Sequence, residues 1–211
     1  MAVSCLNVVE RRSSLGSNSA SPTFRRNMMN VYEPLVTNGY EWVNCANGED
    51  YDVFNSFDGT ARRKEWRPVL VRRVRADNAQ DMKESDFPWL GSWALVMRKA
   101  AVDALRDILE NNGEILPLQT DDGIELFVFN AQTIDALDES KSNIMRLPNT
   151  NRIMLVKSPV FFENAIKDLD LFRLPHRASS TYVSDQFVKR VKEAGLRGLT
   201  YNKVWSSGEG L

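Results

Sequence analysis

Apolar positions are densest between Asp86 and Leu109, and their spacing changes partway along that stretch. Phe87-Pro88-Trp89-Leu90-Gly91 is a stiff, turn-rich lead, because Pro88 fixes its own φ and pushes Phe87 towards an extended backbone. Trp89 and Trp93 bracket Gly91-Ser92, and the apolar run Ala94-Leu95-Val96-Met97 follows as a strand. Beyond it the period becomes helical. Val102, Leu105, Ile108 and Leu109 share one face, with Arg98, Lys99, Asp103, Arg106 and Asp107 on the other. Asn111-Asn112-Gly113 ends the helix, with Gly113 expected as a left-handed cap, and Glu114–Leu118 is the next strand. The tryptophans and Phe87 make this a core-forming unit; a ligand-stacking role for Trp89 is the alternative.

Short strands surround this unit. Val31-Tyr32-Glu33 and the alternating Tyr40-Glu41-Trp42-Val43 come first, with Asn47-Gly48 as a turn. Asp52-Val53-Phe54 reads as a further strand segment leading into the Phe57-Asp58-Gly59 turn, and Val69-Leu70-Val71 follows Pro68. After the helix, Ile115–Leu118 and Ile124–Phe129 flank Thr120-Asp121-Asp122-Gly123, a hairpin signal. Ala131–Leu137 is assigned a short helix, Asn143–Leu147 and Arg152–Val156 a second hairpin, and Phe161-Phe162 a packing role. Leu171–Leu174 is a strand closed by Pro175. Ser184 caps a helix whose face is Phe187, Val188 and Val191, with Gly195 as its stop and Leu199–Trp205 as the last strand. The pattern predicts an α+β fold of mostly antiparallel short strands with two main helices, at about residues 98–110 and 184–194. Val96–Leu118 and Val183–Trp205 both read strand, helix, Gly, strand, which suggests a repeated unit.

Residues 1–27 do not share this pattern. Ser13-Ser14 and Ser17-Asn18-Ser19-Ala20-Ser21-Pro22, with Arg11, Arg12, Arg25 and Arg26 around them, predict a disordered tail. Met28 and Met29 then stand as candidate translation starts, and residues 28–211 form the expected single domain. The length of 211 residues suits one large domain or two small ones. A net charge of −1 creates no global field for nucleic acid or a membrane, and no apolar run approaches the roughly 20 residues that cross a bilayer. Two cysteines, Cys5 and Cys45, do not make a disulfide framework, and the cytoplasm is the expected compartment.

Charge comes in blocks. Glu49, Asp50, Asp52 and Asp58 are acidic; Arg62, Arg63, Lys64, Arg67, Arg72, Arg73 and Arg75 are basic; Asp77, Asp81, Glu84 and Asp86 are acidic again. Either neighbouring blocks neutralise one another, or they form a polarised surface for a charged protein partner. Catalytic constellations are sparse. His176 is the sole histidine and lies in Leu174-Pro175-His176-Arg177, a turn expected to leave it solvated. Cys-x-x-Cys and His-Glu-x-x-His spacings are absent, and Asp121-Asp122-Gly123 reads as a turn before a cation loop. No catalytic, cofactor-binding or metal-binding residue is assigned, and no cofactor is expected.

In combination, Phe57-Asp58-Gly59, Trp66-x-Pro68, Asp86-Phe87-Pro88-Trp89-Leu90-Gly91, Phe172-x-Leu174-Pro175, Tyr182-Val183-x-Asp185-x-Phe187 and Gly195-Leu196-x-Gly198-Leu199 resemble immunity protein family eleven of bacterial polymorphic toxin systems. The resemblance covers roughly residues 31–205 and carries no catalytic residue with it. It implies a cytoplasmic protein that binds and neutralises a cognate toxin without turnover. The alternatives are an enzyme with a carboxylate-based site that reverses toxin damage and a structural subunit of a secretion machine. Glu49, Asp50, Tyr51, Asp52 and Phe54 are the expected partner-binding residues. They join acidic groups, which can mimic a nucleic-acid substrate, to aromatics that fill a cleft.

Overall fold

The computed structural model describes residues 28–77, 80–91 and 93–208; the expected tail, residues 1–27, lies outside them. Along the chain come β1 (Asn30–Val36), β2 (Trp42–Cys45), a 3-10 turn (Gly48–Asp50), α1 (Tyr51–Asn55), β3 (Leu70–Val74), β4 (Ala76–Asp77) and β5 (Gln80–Asp81). Then follow β6 (Leu95–Arg98), α2 (Lys99–Asn112), β7 (Gly113–Pro117), β8 (Gln119–Thr120), β9 (Leu126–Ala131), β10 (Asn143–Arg146) and β11 (Ile153–Ser158). Last are α3 (Glu163–Ile166), β12 (Leu171–Phe172), β13 (Tyr182–Ser184), α4 (Asp185–Glu193) and β14 (Leu199–Ser206). The class is α+β, and the strand ladders are antiparallel except for β3 with β8.

The continuous apolar run before α2 has a simple cause: β6 is buried on both faces. Leu95 and Met97 point into a core shared with Val102, Leu105, Ile108 and Leu109 of α2. Ala94 and Val96 point the other way, against Val43, Phe54, Val71 and Leu90. Strand alternation therefore produces two cores from one run. A second sheet, in the order β12-β13-β1-β14, divides its side chains likewise. Leu171 and Val183 join the helix-side core, while Phe172, Tyr182 and Val31 join a third cluster with Leu137, Phe161 and Ile166. α2 and α4 thus contribute to one core flanked by residues of both sheets.

The repeated pattern in the sequence is a repeat of topology. β6 and β7, joined by α2, both pair antiparallel with β9, which lies between them. β13 and β14, joined by α4, both pair antiparallel with β1 in the same way. Each is a split strand-helix-strand unit. Arg190 of α4 forks onto Asp107 of α2 at 3.0 and 2.9 Å and also donates to the Ala104 carbonyl, so the two helices meet directly.

Several local expectations change. Ser184 does cap α4, accepting from the Gln186 and Phe187 amides, and Gly195 has φ +66 beyond the helix. Gly113 is not a left-handed cap. It has φ 161, an extended backbone, and α2 runs straight into β7. Asn112 Nδ2 donates to the Ile108 carbonyl at the helix end instead. Glycine is required at 113 by close approach, since a Cβ there would stand 2.3 Å from the Asn130 carbonyl oxygen. Ala131–Leu137 is not a helix: Ala131 ends β9, and the Ile134 amide donates to the Arg173 carbonyl at 2.8 Å, so non-local acceptors replace helical ones. The Asp121 hairpin exists as β7 with β9, but its connection is wide enough to lend β8 to β3. The β10–β11 hairpin forms as expected, and in the Phe161-Phe162 pair only Phe161 is buried, Phe162 being exposed.

Glu41 sits in a segment whose alternation gives no hint of burial, yet it is 1% exposed. Its carboxylate accepts from Arg73 at 3.1 Å, from Arg98 at 2.5 Å and from the Ser85 amide at 3.2 Å. Arg73 reaches on to Asp122 at 2.5 Å, and Arg98 donates to the Ser85 carbonyl. Removing one member of such a buried set strands the rest. Glu41→Ala is expected to cost about 3–5 kcal/mol in urea unfolding; a loss under about 1 kcal/mol contradicts this role.

Candidate partner-binding surface

The expected acidic interface segment is helical. Gly48–Asp50 forms a 3-10 turn that continues into α1. The expected strand at Asp52–Phe54 fails because three residues cannot separate a period of 2 from one of 3.6. Tyr51 and Phe54, three apart, share the inner face, which is the helical solution. Phe54 is 0% exposed and meets Phe57 edge-on at 5.7 Å, so it anchors the helix and cannot touch a partner. Tyr51 is half-buried, and its hydroxyl donates to Asn44 Oδ1 at 3.2 Å. Glu49 and Asp52 are exposed; Asp50 is half-buried and accepts from Asn47 Nδ2 at 3.2 Å. The five expected residues therefore divide into three outward carboxylates and two aromatic supports.

Neutralisation between neighbouring charge blocks accounts for the Arg62–Asp58 pair, whereas Arg72 and Arg73 find carboxylates elsewhere in the chain. Arg62 pairs with Asp58 at 3.3 Å, Arg72 with Asp121 at 3.4 Å, and Arg73 with Glu41 and Asp122. Asp52, with 74% of its side chain exposed, pairs with Arg177 from a distant turn. Among the described residues, Glu49 and Asp50 form no ion pair, and neither do Arg63, Lys64 and Arg67. Between these two groups runs a groove of about 710 Å³, with Asp50 and Val53 on one bank and Trp66, Arg67 and Pro68 on the other. Trp66 holds its bank in place by donating its indole N–H to the Pro117 carbonyl at 2.7 Å. Trp89 is half-buried, and its carbonyl accepts from the Val43 amide at 2.8 Å, which is a structural contact.

The residues with chemical potential lie apart. His176 is half-buried rather than solvated, and burial first, then Arg173, holds its pKa below the ordinary value. Burial, with Asp50 nearby, pushes the Cys45 thiol up to about 11, so it is a weak nucleophile at neutral pH. Cys5 lies outside the described residues. Asp122 is spoken for by Arg73 and by the Ile124 amide, which accounts for the Asp121-Asp122-Gly123 turn. Among the described residues no group of three or more His, Cys, Asp or Glu side chains is arranged to hold a metal ion, and no helix is long and apolar enough to cross a membrane.

The geometry defines an α+β chain with a charged groove and an outward acidic helix. The model of an immunity protein family, Imm11, matches residues 123–206, in agreement with the resemblance carried by the chain's motifs. No curated protein matches the chain. The matched span includes β9 to β14 and the turn bearing His176 and Arg177; it does not include Glu49–Phe54. Sequence reading missed Arg177 and Arg173. Their one signal is the Phe172-x-Leu174-Pro175 motif, which fixes the chain on either side of them.

Cys45 offers a direct check on these surroundings. At pH 8 its alkylation by iodoacetamide, followed by peptide mass mapping, is expected to be about 100-fold slower in the folded chain than in urea. Equal rates contradict the shielding of this half-buried thiol.

Proposed function

We propose that this chain is an immunity protein that binds and neutralises a cognate bacterial toxin, one molecule to one, without turnover. The match of the immunity family model to residues 123–206 carries this reading. Residues 28–211 act as one immunity-type domain, because the core around α2 draws side chains from both inside and outside the matched span. The partner is a toxin of a polymorphic toxin system, met in the cytoplasm of the producing cell or its siblings.

The interface centres on the outward face of the 48–55 helical segment. Glu49 and Asp50 support it: their charges are not spent on ion pairs within the described residues. Free carboxylates on a rigid element steer a basic partner and speed encounter. Phe54, beneath, keeps the element rigid at no cost to its exposed face.

Glu49→Lys with Asp50→Lys tests the assignment cleanly, since neither breaks an ion pair. Folding stability is expected to change by no more than about 0.5 kcal/mol. Association with a cognate toxin domain is expected to slow by about tenfold or more at low salt, with the difference shrinking as salt rises. Unchanged association kinetics would remove this segment from the interface.

A further inference from the structure

The β10–β11 hairpin stands apart from the other sheets: among the described residues its strands pair only with one another. Four of the six residues of β11 are exposed, against one of the four in β10, so β11 is the open edge. One row of its backbone groups faces β10. The opposite row has no backbone partner among the described residues. An edge of this kind is a template for a further strand.

The register decides what the edge presents. Ile153 lies opposite Arg146 and Leu155 opposite Met145, so Met154 is an extra residue. Val156 lies opposite Ile144 and Ser158 opposite Asn143, so Lys157 is another. These bulges break the alternation of a strand. Ile153 and Val156, three apart, both pack on the third cluster, while Met154 and Leu155 between them are each 49% exposed. A regular strand would turn one of that pair inward. Bulges commonly blunt an edge; here they set two large apolar side chains next to one another in water.

Charge narrows what can cover them. Arg152 and Lys157 flank the apolar pair, and both are exposed. Neither forms an ion pair among the described residues, whereas Arg146 of β10 is met by Glu139 at 2.6 Å. Residues 143–158 contain no Asp or Glu. The hairpin is also held in shape before any partner arrives. The Leu147 amide donates to the Arg152 carbonyl at 3.0 Å, Thr150 Oγ1 to the Leu147 carbonyl at 3.1 Å, and Arg146 Nη1 to the Asn151 carbonyl at 2.6 Å. Little ordering is left for binding to impose.

We propose that the outer edge of β11 is a docking site for an extended segment of a partner protein. The segment adds as a third strand, with apolar side chains over Met154 and Leu155 and carboxylates towards Arg152 and Lys157. The open backbone row calls for a peptide, the exposed pair for an apolar middle, and the acid-free hairpin for acidic flanks. A second copy of this edge fits poorly, because it brings the same cations and no carboxylate. The site is distinct from the 48–55 helical segment and does not rest on the toxin reading.

The probe is a synthetic peptide, Glu-Thr-Val-Thr-Val-Thr-Glu with both ends blocked, titrated into the full chain with isotope-labelled methionine methyls. The Met154 signal is assigned by its loss in Met154→Leu. A saturable shift of that signal, with a roughly millimolar midpoint, is expected. Pro at the third and fourth positions of the peptide removes a donor from each of its edges and is expected to abolish the shift. Arg152→Glu with Lys157→Glu is expected to weaken the midpoint by about tenfold at low salt, and to favour the peptide with Lys in place of Glu. Both positions are exposed, so the fold is retained. No saturable Met154 shift in the wild-type chain overturns the proposal, as does equal binding of the Pro peptide or an unchanged midpoint in the charge-reversed variant. Sedimentation of the wild-type chain as a dimer that Leu155→Lys dissociates gives the edge to a second copy, and overturns it too.

Discussion

One buried carboxylate joins the parts that the sequence leaves separate. Glu41 leads into β2, Arg73 lies on β3, Arg98 ends β6 at the start of α2, and Asp122 comes from the connection between β7 and β9. With the carboxylate in place, two guanidiniums can be buried near one another; without it they repel and must find water. The same contact docks the β2–β3 pair onto the central sheet, and so positions α1 and the bank of the groove that bears Trp66. The charged surface is placed by this interior ion set as much as by the apolar cores beneath it.

Two split strand-helix-strand units provide the frame around that contact. They share a helix-side core, and the Asp107–Arg190 fork joins their helices at the surface. What each unit carries on its outer side differs. The first bears the acidic helix and the groove; the second bears the 174–179 turn and the β10–β11 hairpin. The Asp52–Arg177 pair connects the two outer surfaces. The first surface lies outside the span matched by the immunity family model and the second inside it, so only a partner that spans both meets residues of each.

The sequence was most informative where the period was long. α2, α4, the Ser184 cap and the two hairpins follow from spacing and turn residues that act locally. The strand–helix–strand resemblance between the halves was legible too, although nothing local shows that β9 and β1 occupy the middle positions. The misreadings have two causes. Gly113 and Ala131–Leu137 are decided by partners distant in the chain, the Asn130 and Arg173 carbonyls, whereas Asp52–Phe54 is too short for its period to tell strand from helix. Of the expected interface residues, the carboxylates Glu49, Asp50 and Asp52 face outward, whereas Phe54 belongs to the core, a distinction that burial alone decides. Glu41 and Arg173 escaped notice because a charged residue in a short strand is ordinarily a solvated one.

The central claim is that protection is stoichiometric binding. Its most direct test is titration of a candidate cognate toxin domain, held at a concentration well above the dissociation constant, with the purified chain while residual toxin activity is measured. The account predicts a linear fall to an end-point at one molecule of this chain per toxin, independent of incubation time. Complete inactivation at a small fraction of that ratio, progressing with time, would show turnover and contradict it.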